Sequence, residues 1–271
     1  MAQTILITGA STGIGRATAQ HFQQKGWNVI ATMRTPENET ELNQLDNVLV
    51  TRLDVQDPAS IEAAIAASVE RFGAIDVLLN NAGYGALGPL EATPMENVRR
   101  QFDVNVLGLL ETTKAVLPHF REQGSGVLIN VSSIGGLVTM PLASLYHGTK
   151  WAVEGISESL TYELAPLGVR VKVIEPGAIK TDFVTRSLDF NNDESLAAYQ
   201  PGIATYQEAI GALTGDAIGP ERVAETIYEA ALDESDRLRY LVGDDAEQWY
   251  AARQATDDIG FRAAMREQIG F

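Results

Sequence analysis

Short runs of Val, Ile and Leu alternate along the chain with longer stretches in which apolar residues recur every three or four positions. Nearly continuous apolar runs are typical of strands that are covered on both faces of a parallel sheet. Seven runs therefore predict strands: Thr4–Thr8, Asn28–Thr32, Val48–Leu53, Val77–Leu79, Gly126–Val131, Val169–Glu175 and Leu238–Val242.

The stretches between these runs have a helical period. Apolar residues recur at every fourth position within 61–69 and again within Ser144–Leu164, and each set predicts a helix with one buried stripe. The segment Thr93-Pro94-Met95-Glu96 has the form of a capping box with Pro at the first helical position. We therefore expect a helix to begin there and to run towards Phe120.

Alternating strands and helices at this spacing indicate βαβ units, whose right-handed crossovers place helices on both faces of one sheet. The predicted fold class is α/β: a single doubly wound parallel sheet of the Rossmann type, in three layers, with a helical C-terminal extension. No low-complexity linker divides the chain, so 1–271 is predicted to be one domain. Within it we expect a core in 1–181 and a helical elaboration in 182–271.

Composition narrows the classes of partner. The chain has 20 Lys and Arg against 36 Asp and Glu, a net charge of −16, which argues against nucleic-acid binding and anionic membrane surfaces. The absence of cysteine excludes disulfides, thiolate metal sites and a cysteine nucleophile, and the three histidines are too widely spaced to predict a metal site. No signal-peptide pattern and no run of about 18 apolar residues occurs, so we expect a cytoplasmic protein with a small-molecule partner.

A glycine-rich segment, TGASTGIG, follows the first strand and places Gly9, Gly13 and Gly15 before the helix-forming stretch Arg16–Lys25. Glycines allow a sharp turn and the approach of a pyrophosphate to bare backbone at a helix N-terminus. The spacing differs from GxGxxG by three residues inserted between the first two glycines. A purely structural strand-to-helix turn is the alternative interpretation.

The end of the second strand bears on the choice of dinucleotide. It reads Ala31-Thr32-Met33-Arg34, with no acid before Glu37, whereas NAD sites normally place a carboxylate near this point. An arginine can bind a 2′-phosphate, so NADP(H) is favoured and NAD(H) is the alternative. Arg34 is otherwise an ordinary exposed residue at the end of a strand.

Tyr146 and Lys150 are four residues apart in a helical stretch, so their side chains share one face. A nearby ammonium favours the phenolate, and the pair is predicted to exchange a proton near neutral pH. Ser132 and Ser133 follow the fifth strand, where a hydroxyl can hydrogen-bond a substrate carbonyl. Tyr and Lys at this spacing are also frequent by chance.

Taken together with the segment NNAG at Asn80–Gly83, these motifs resemble those of the short-chain dehydrogenase/reductase family. That family combines TGxxxGxG, NNAG, a serine thirteen residues before a tyrosine, and YxxxK. The spacing selects Ser133, not Ser132. The resemblance covers about residues 3–182 and extends to Asp54-Val55, Asn105 and Pro176-Gly177 with Thr181. It implies that 1–181 form the cofactor-binding and catalytic core and that 182–271 contain a substrate lid.

The resemblance implies roles for individual residues. It implies a catalytic set of Asn105, Ser133, Tyr146 and Lys150, with Asn105 binding a water that contacts the lysine. Asp54 would meet the adenine amino group, and Thr181 the nicotinamide carboxamide; a satisfied core amide at Asn105 and a helix N-cap at Thr181 are the alternatives. The cofactor-binding residues implied are Gly9, Ser11, Gly13, Ile14, Gly15, Arg34, Asp54, Val55, Asn81, Ala82, Gly83, Tyr146, Lys150, Pro176, Gly177, Ile179 and Thr181.

Some positions are given lesser roles by the same resemblance. Asn80 is expected mainly to tie strands together, and His147 varies freely in the motif and receives no catalytic role. The implied substrate wall is mostly apolar and suggests a lipophilic ketone, aldehyde or secondary alcohol, although packing within a lid explains it equally well. Its predicted residues are Tyr84, Leu87, Leu137, Val138, Met140, Phe183, Phe190, Tyr199 and Tyr206.

The reaction implied is reversible hydride transfer between NADP(H) and a carbonyl or alcohol. An NAD-dependent alcohol dehydrogenase and a non-catalytic NADP(H)-binding sensor are the alternatives, and the intact catalytic set argues against the sensor. A methyltransferase also has a glycine-rich first turn, but it does not account for YxxxK. The resemblance further implies a homodimer or homotetramer built through helices near 97–120 and 148–164.

Overall fold

The computed structural model describes residues 2–213, 215 and 217–271. Nine strands occur in these ranges: β1 (Thr4–Ile7), β2 (Asn28–Met33), β3 (Val48–Arg52), β4 (Val77–Asn80), β5 (Gly85–Leu87), β6 (Gly126–Val131), β7 (Val169–Pro176), β8 (Leu188–Phe190) and β9 (Arg239–Val242). Ten α-helices accompany them: α1 (Gly13–Gln24), α2 (Pro58–Phe72), α3 (Met95–Phe102), α4 (Gly108–Gln123), α5 (Ser144–Leu164), α6 (Phe183–Arg186), α7 (Gln200–Leu213), α8 (Pro220–Leu232), α9 (Asp244–Ala255) and α10 (Asp258–Ile269).

Seven strands form one parallel sheet in the order β3-β2-β1-β4-β6-β7-β9. All seven correspond to predicted strands, and the doubly wound α/β class is confirmed. The direction of winding reverses between β1 and β4, where the loops after the two strands diverge to opposite faces. Ligands of such sheets bind in the crevice at this switch point.

Successive residues of each strand enter different cores. Leu6, Ile30 and Leu78 face the layer of α2, α4 and α5, whereas their neighbours Ile5 and Val29 face the layer of α1 and α8. Burying one such side chain contributes about 1.5–3 kcal/mol, so two continuous cores hold the sheet rigid between its helices. The carboxyl ends of the strands are thereby held at fixed positions.

The capping box predicted at Thr93 is wrong. A short 3₁₀ turn at Leu90–Ala92 precedes the helix, and the Thr93 hydroxyl donates to the Pro89 carbonyl at 3.0 Å instead of accepting from the helix. Helix α3 begins at Met95 after Pro94, without a side-chain cap. It continues to α4 through a π-helical turn at Asp103–Leu107, and such turns occur frequently at functional sites.

A second, two-stranded parallel sheet was not predicted. Strand β5 pairs with β8 over three residues, and the Asn191 amide continues the pairing by donating to the Leu87 carbonyl at 2.8 Å. Gly88, at φ +119°, lies so close to the Asn191 backbone that any side chain would collide with its carbonyl. The segment after α6 is therefore joined to the segment after NNAG.

The last third of the chain contributes to the main layers as well as to an extension. Strand β9 completes the sheet, and α8 packs against α1. Helices α7, α9 and α10 form a separate cluster in which Tyr206, Phe261 and Met265 pack on Val138 of the β6–α5 loop. No helix in the described part of the chain is long and apolar enough to cross a membrane.

Candidate active site

Most of the residues implied by the resemblance follow the carboxyl ends of β1, β2, β3, β4, β6 and β7. The glycine loop follows β1, NNAG begins at the end of β4, and Ser133 follows β6. Tyr146 and Lys150 lie on α5, which packs beside β7. The crevice at the switch point is thus lined by motifs that are far apart in sequence.

The glycine loop is compact because its glycines lie against backbone. Gly9 adopts φ +69°, and a Cβ there would lie 3.0 Å from Ala82 Cα. A Cβ on Gly15 would collide with the Gly9 carbonyl oxygen and lie 2.6 Å from Asn81 Nδ2. Thr12 precedes α1 without making a side-chain cap, which leaves the helix N-terminus suited to an anion.

The two asparagines of NNAG both hold the strand ends together. Asn80 donates from Nδ2 to Asn130 Oδ1 and to Thr113 Oγ1, both at 2.9 Å, as expected for a residue that ties strands. Asn81 donates from Nδ2 to the carbonyls of Thr8 and Gly9 at 2.8 and 3.0 Å. Asn81 therefore holds the start of the glycine loop through the carbonyls of Thr8 and Gly9.

Charged residues near the end of β2 differ in what they contact. Arg34 is exposed and forms no ion pair within the described ranges. Arg16, by contrast, forms an ion pair with Glu39 at 2.8 Å and contacts Glu41 at 3.3 Å. Among the described residues, no carboxylate pairs with Arg34. Asp54, after β3, accepts from the Gln56 amide of its own turn at 3.1 Å.

Ser133, Tyr146 and Lys150 lie together. Ser133 Oγ accepts from the Gly135 amide at 3.0 Å and is hydrogen-bonded to the Tyr146 hydroxyl. Lys150 Nζ donates to the Val131 carbonyl at 2.9 Å and lies 5.7 Å from the centre of the Tyr146 ring. A hydroxyl, a phenol and an amine thus share one end of the β6–α5 unit.

Burial dominates the titration of this cluster. It raises the pKa of Tyr146 above its usual value, and the hydrogen bond from Ser133 opposes this only partly. Burial also lowers the pKa of Lys150 to about 8, against the attraction of Glu154. The pKa of Tyr146 is therefore raised and not lowered as predicted, because desolvation of the phenolate is the largest cause of its shift.

Asn105 lies in the π-helical turn and is 3% exposed. Its Oδ1 accepts from the Tyr84 amide at 2.8 Å, and its Nδ2 donates to the Tyr84 carbonyl at 2.8 Å and to Thr149 Oγ1 at 3.2 Å. Both polar atoms of the Asn105 side chain are thus hydrogen-bonded within the protein, as in the alternative interpretation of a core amide. Thr149 immediately precedes Lys150, so Asn105 connects the segment after NNAG to the catalytic helix.

The segment after β7 carries the remaining implied residues. It is also contacted by one residue that the sequence did not predict. Thr181 Oγ1 accepts from the Phe183 amide at 3.3 Å, and the Thr181 side chain would touch a Cβ placed on Gly13. Asp245, at the start of α9, accepts from the Ala178 amide at 2.6 Å. The acidic first turn of α9 was visible in the sequence, but nothing indicated which loop it would contact.

A buried pair of carboxyl groups behind the lysine was also missed. Glu175 is 0% exposed and Glu154 is 5% exposed; among the described residues none donates to either Glu175 oxygen or to Glu154 Oε1. Arg239 Nε lies 3.1 Å from Glu154 and 3.4 Å from Glu175. Burial and the neighbouring Glu154 raise the pKa of Glu175 to about 9, so Glu175 is protonated at neutral pH.

The predicted substrate wall divides into two groups. Phe183 lies at the site, with its ring centre 6.3 Å from that of Tyr146 in an edge-to-face arrangement. Phe190 stacks on Tyr206 within the C-terminal cluster, as the packing alternative states. Tyr84 donates to Asp189 at 2.5 Å, which links β5 to β8.

A family model and curated relatives assign this chain to the same family. The model of a family described as short chain dehydrogenase matches residues 3–192. An uncharacterised oxidoreductase of Schizosaccharomyces pombe is 46% identical over 238 residues, which is 88% of this chain and 100% of that protein. A 3-ketodihydrosphingosine reductase of Bacteroides thetaiotaomicron is 39% identical over 181 residues, which is 67% of this chain and 65% of that protein.

Solved structures agree in fold. A short-chain dehydrogenase from Streptomyces avermitilis is 32% identical with a TM-score of 0.82, covering 100% of this chain and 98% of its own. A 3-ketoacyl-(acyl-carrier-protein) reductase from Brucella melitensis, complexed with NADH, is 27% identical with a TM-score of 0.73, over 90% and 98% of the two chains. The protein ElxO with NADP bound is 28% identical with a TM-score of 0.74, over 89% and 98%. Proteins of this fold thus bind either dinucleotide.

Proposed function

Because the chain belongs to the short-chain dehydrogenase family of oxidoreductases, we propose that it reduces a carbonyl group, or oxidises the corresponding alcohol, with NADP(H). The observation that carries the proposal is the cluster of Ser133, Tyr146 and Lys150 at the crevice. A protein that only binds a dinucleotide needs no hydroxyl, phenol and amine gathered at one end of the crevice. We therefore place the sensor alternative second.

The residues of the cluster divide the acid–base work. Ser133 donates a hydrogen bond to the substrate oxygen, which strengthens as negative charge grows there. Tyr146 donates its proton to that oxygen during reduction and takes it back during oxidation. Burial raises the pKa of Tyr146 above its ordinary value, so the phenol is in the protonated form that reduction requires. Lys150, held by the Val131 carbonyl, is positioned beside the phenol as a cation.

The crevice has the features that a dinucleotide requires. The uncapped N-terminus of α1 and the glycine loop suit the pyrophosphate, because a Cβ at Gly15 would fill the space next to Gly9 and Asn81. Thr181 and Ala178 lie at the end where the nicotinamide is proposed to bind. When bound, the nicotinamide supplies or accepts the hydride.

Arg34 supports NADP(H) over NAD(H). Its guanidinium is exposed at the end of β2 and is free of any carboxylate in the described part of the chain, whereas Arg16 is already paired with Glu39. A free guanidinium is suited to a 2′-phosphate. The NAD-dependent alcohol dehydrogenase remains the second candidate, because nucleotide-bound structures of both kinds resemble this chain.

We further propose a lipophilic substrate admitted beside a lid formed within 182–271. Phe183 contributes an aromatic face next to Tyr146, and Leu137 and Met140 lie on the β6–α5 loop that follows Ser133. None of these offers a charged group to a substrate. A relative named as a 3-ketodihydrosphingosine reductase is compatible with this preference.

Tyr146→Phe tests the mechanism. The variant removes only the hydroxyl, so NADPH binding measured by fluorescence titration should stay within about twofold. Oxidation of NADPH by a panel of ketones should fall by at least about 10²-fold, as expected when a donor to a developing oxyanion is lost. Retained turnover would show that another group donates the proton.

Arg34→Ala tests the cofactor preference, with Arg222→Ala on α8, an exposed arginine that pairs with Glu225, as the control. Loss of a charge-assisted contact to phosphate should weaken NADPH binding by about 10- to 100-fold. NADH binding and the Arg222→Ala control should be unchanged. An unaltered ratio of the two affinities in Arg34→Ala contradicts this role.

A further inference from the structure

His147 follows the proposed proton donor and is 5% exposed. The family resemblance gives it no role, yet both of its ring nitrogens are engaged by one segment. Nδ1 lies 2.8 Å from the Gly135 carbonyl, and the Met140 amide donates to Nε2 at 2.9 Å. A side chain on α5 thus grips the β6–α5 loop at two points five residues apart.

The two contacts define the tautomer and the protonation state of the His147 ring. A backbone amide can only donate, so Nε2 must be an acceptor and the proton lies on Nδ1, which donates to the Gly135 carbonyl. A protonated ring would place an N–H against the N–H of Met140. Burial lowers the pKa of His147, which favours the neutral ring required by both bonds.

The gripped segment, 135–140, is closely packed against the proposed proton donor. A Cβ placed on Gly135 would lie 3.0 Å from His147 Nδ1 and 3.2 Å from Tyr146 Cε1. The segment therefore rests on both rings at once. Any displacement of Gly135 would alter the space beside the Tyr146 ring.

The far side of the loop is held independently. Leu142 adopts φ +57° and its carbonyl accepts from the Gly88 amide at 2.7 Å. Val138 packs into the C-terminal cluster. Between these anchors, the backbone of Met140 depends on His147 for its position.

We propose that His147 is a positioning residue: its two hydrogen bonds hold segment 135–140 against Tyr146 and so set the apolar wall that selects bulky carbonyl substrates. This inference rests on the proposed function, since it gives that site its specificity-determining element. A small ketone contacts little of this wall, so its binding depends only weakly on the position of segment 135–140. A ketone with a long or cyclic apolar substituent contacts more of the wall, so its binding depends on the position of that segment.

Two substitutions separate the bonds. In His147→Asn the terminal atoms reach the position of Nδ1 and can donate to the Gly135 carbonyl, but not accept from Met140. In His147→Gln the terminal oxygen reaches the position of Nε2 and can accept from the Met140 amide. His119→Gln on α4, a histidine outside the site, is the matched control.

We expect kinetics with NADPH to separate KM from kcat. Loss of one hydrogen bond should raise KM for a bulky ketone by about 3- to 10-fold, with kcat within about threefold of wild type. KM for a small ketone should change by less than about twofold. Equal changes for both ketones would indicate a general structural role and overturn the proposal.

An activity-independent readout follows the contact itself. The Met140 amide should exchange with deuterium faster in His147→Asn than in His147→Gln, and the ¹⁵N spectrum of wild-type His147 should show a neutral ring protonated on Nδ1. Unchanged exchange in His147→Asn, or a proton on Nε2, refutes the inference while leaving the proposed function intact. If wild-type protein reduces no ketone, the proposed function fails and the role of His147 in selecting substrate fails with it.

Discussion

Glu175→Gln should stabilise the protein at neutral pH. Glu175 is completely buried at the carboxyl end of β7, and its pKa is raised to about 9 from an ordinary 4.5. The folded state therefore keeps the carboxyl protonated at pH 7, whereas the unfolded chain ionises it. Glutamine has nearly the same shape as the protonated carboxyl, is likewise uncharged, and can donate a hydrogen bond.

The magnitude follows from linkage between protonation and folding. Because the folded pKa is raised, the contribution of Glu175 is fully present below pH 4.5 and is lost as the pH rises towards about 9. The loss is about 1.4 kcal/mol per pH unit, or about 3 kcal/mol at pH 7. The glutamine variant does not titrate, so its advantage over wild type should grow by that amount per unit between pH 5 and pH 8.

Urea unfolding at pH 5, 6, 7 and 8, followed by tryptophan fluorescence at one protein concentration, measures the difference. Glu158→Gln is the matched control, because Glu158 pairs with the same Arg239 at 2.7 Å but is half exposed. Its effect should stay within about 0.5 kcal/mol at every pH. A Glu175→Gln variant that is less stable, or whose advantage does not grow with pH, would mean that Glu175 is ionised and paired with Arg239.

Three further predictions follow from the same geometry. Gly15→Ala should abolish dinucleotide binding in a fluorescence titration and lower stability by about 1–3 kcal/mol, because its Cβ would collide with the Gly9 carbonyl. Lys150→Met should abolish turnover yet raise the free energy of unfolding at pH 7 by about 3 kcal/mol, because burial lowers the pKa of Lys150 from 10.5 to about 8. The wild type regains this difference only as the pH rises from 8 towards 10.5. Asp245→Ala leaves the Ala178 amide without its acceptor and should raise KM for NADPH by about 3- to 10-fold, with urea unfolding as the control for stability.

The sheet was predictable because its strands are buried on both faces. Continuous apolar runs such as Gly126–Val131 carry that signal directly, and all seven strands of the main sheet followed from it. Strands β5 and β8 have only three residues each, and their pairing joins positions about 100 residues apart. A sequence pattern of period two cannot be recognised over three residues, so this sheet was missed.

Thr93 shows why a local motif can mislead. Its spacing to Glu96 satisfies a capping box, but its hydroxyl bonds to Pro89, because the chain enters the helix from a 3₁₀ turn. Competition between neighbouring backbone acceptors is decided by the path of the chain.

The candidate site could be predicted where chemistry demands a residue type at a fixed spacing, as at Tyr146 and Lys150. It could not be predicted where tertiary contacts give an ordinary residue its role. His147, Asp245 and the Glu154–Glu175 pair act through partners on other elements, and no sequence spacing indicates them. The direction of the Tyr146 pKa shift was missed for the same reason, because burial is a property of the folded chain.

The pairing of β5 with β8 has a consequence for exchanging specificity between relatives. The stretch that follows Thr181 is hydrogen-bonded along its backbone to Gly85–Leu87, and Gly88 fits only where Asn191 passes. A chimera that takes only 182–199 from a relative would pair that relative's β8 with the β5 of this chain. It would also place the relative's residue at position 191 against Gly88. Exchanging both segments together should preserve the pairing of β5 with β8. Under the proposed function, an exchange of substrate specificity therefore requires two segments that are distant in sequence.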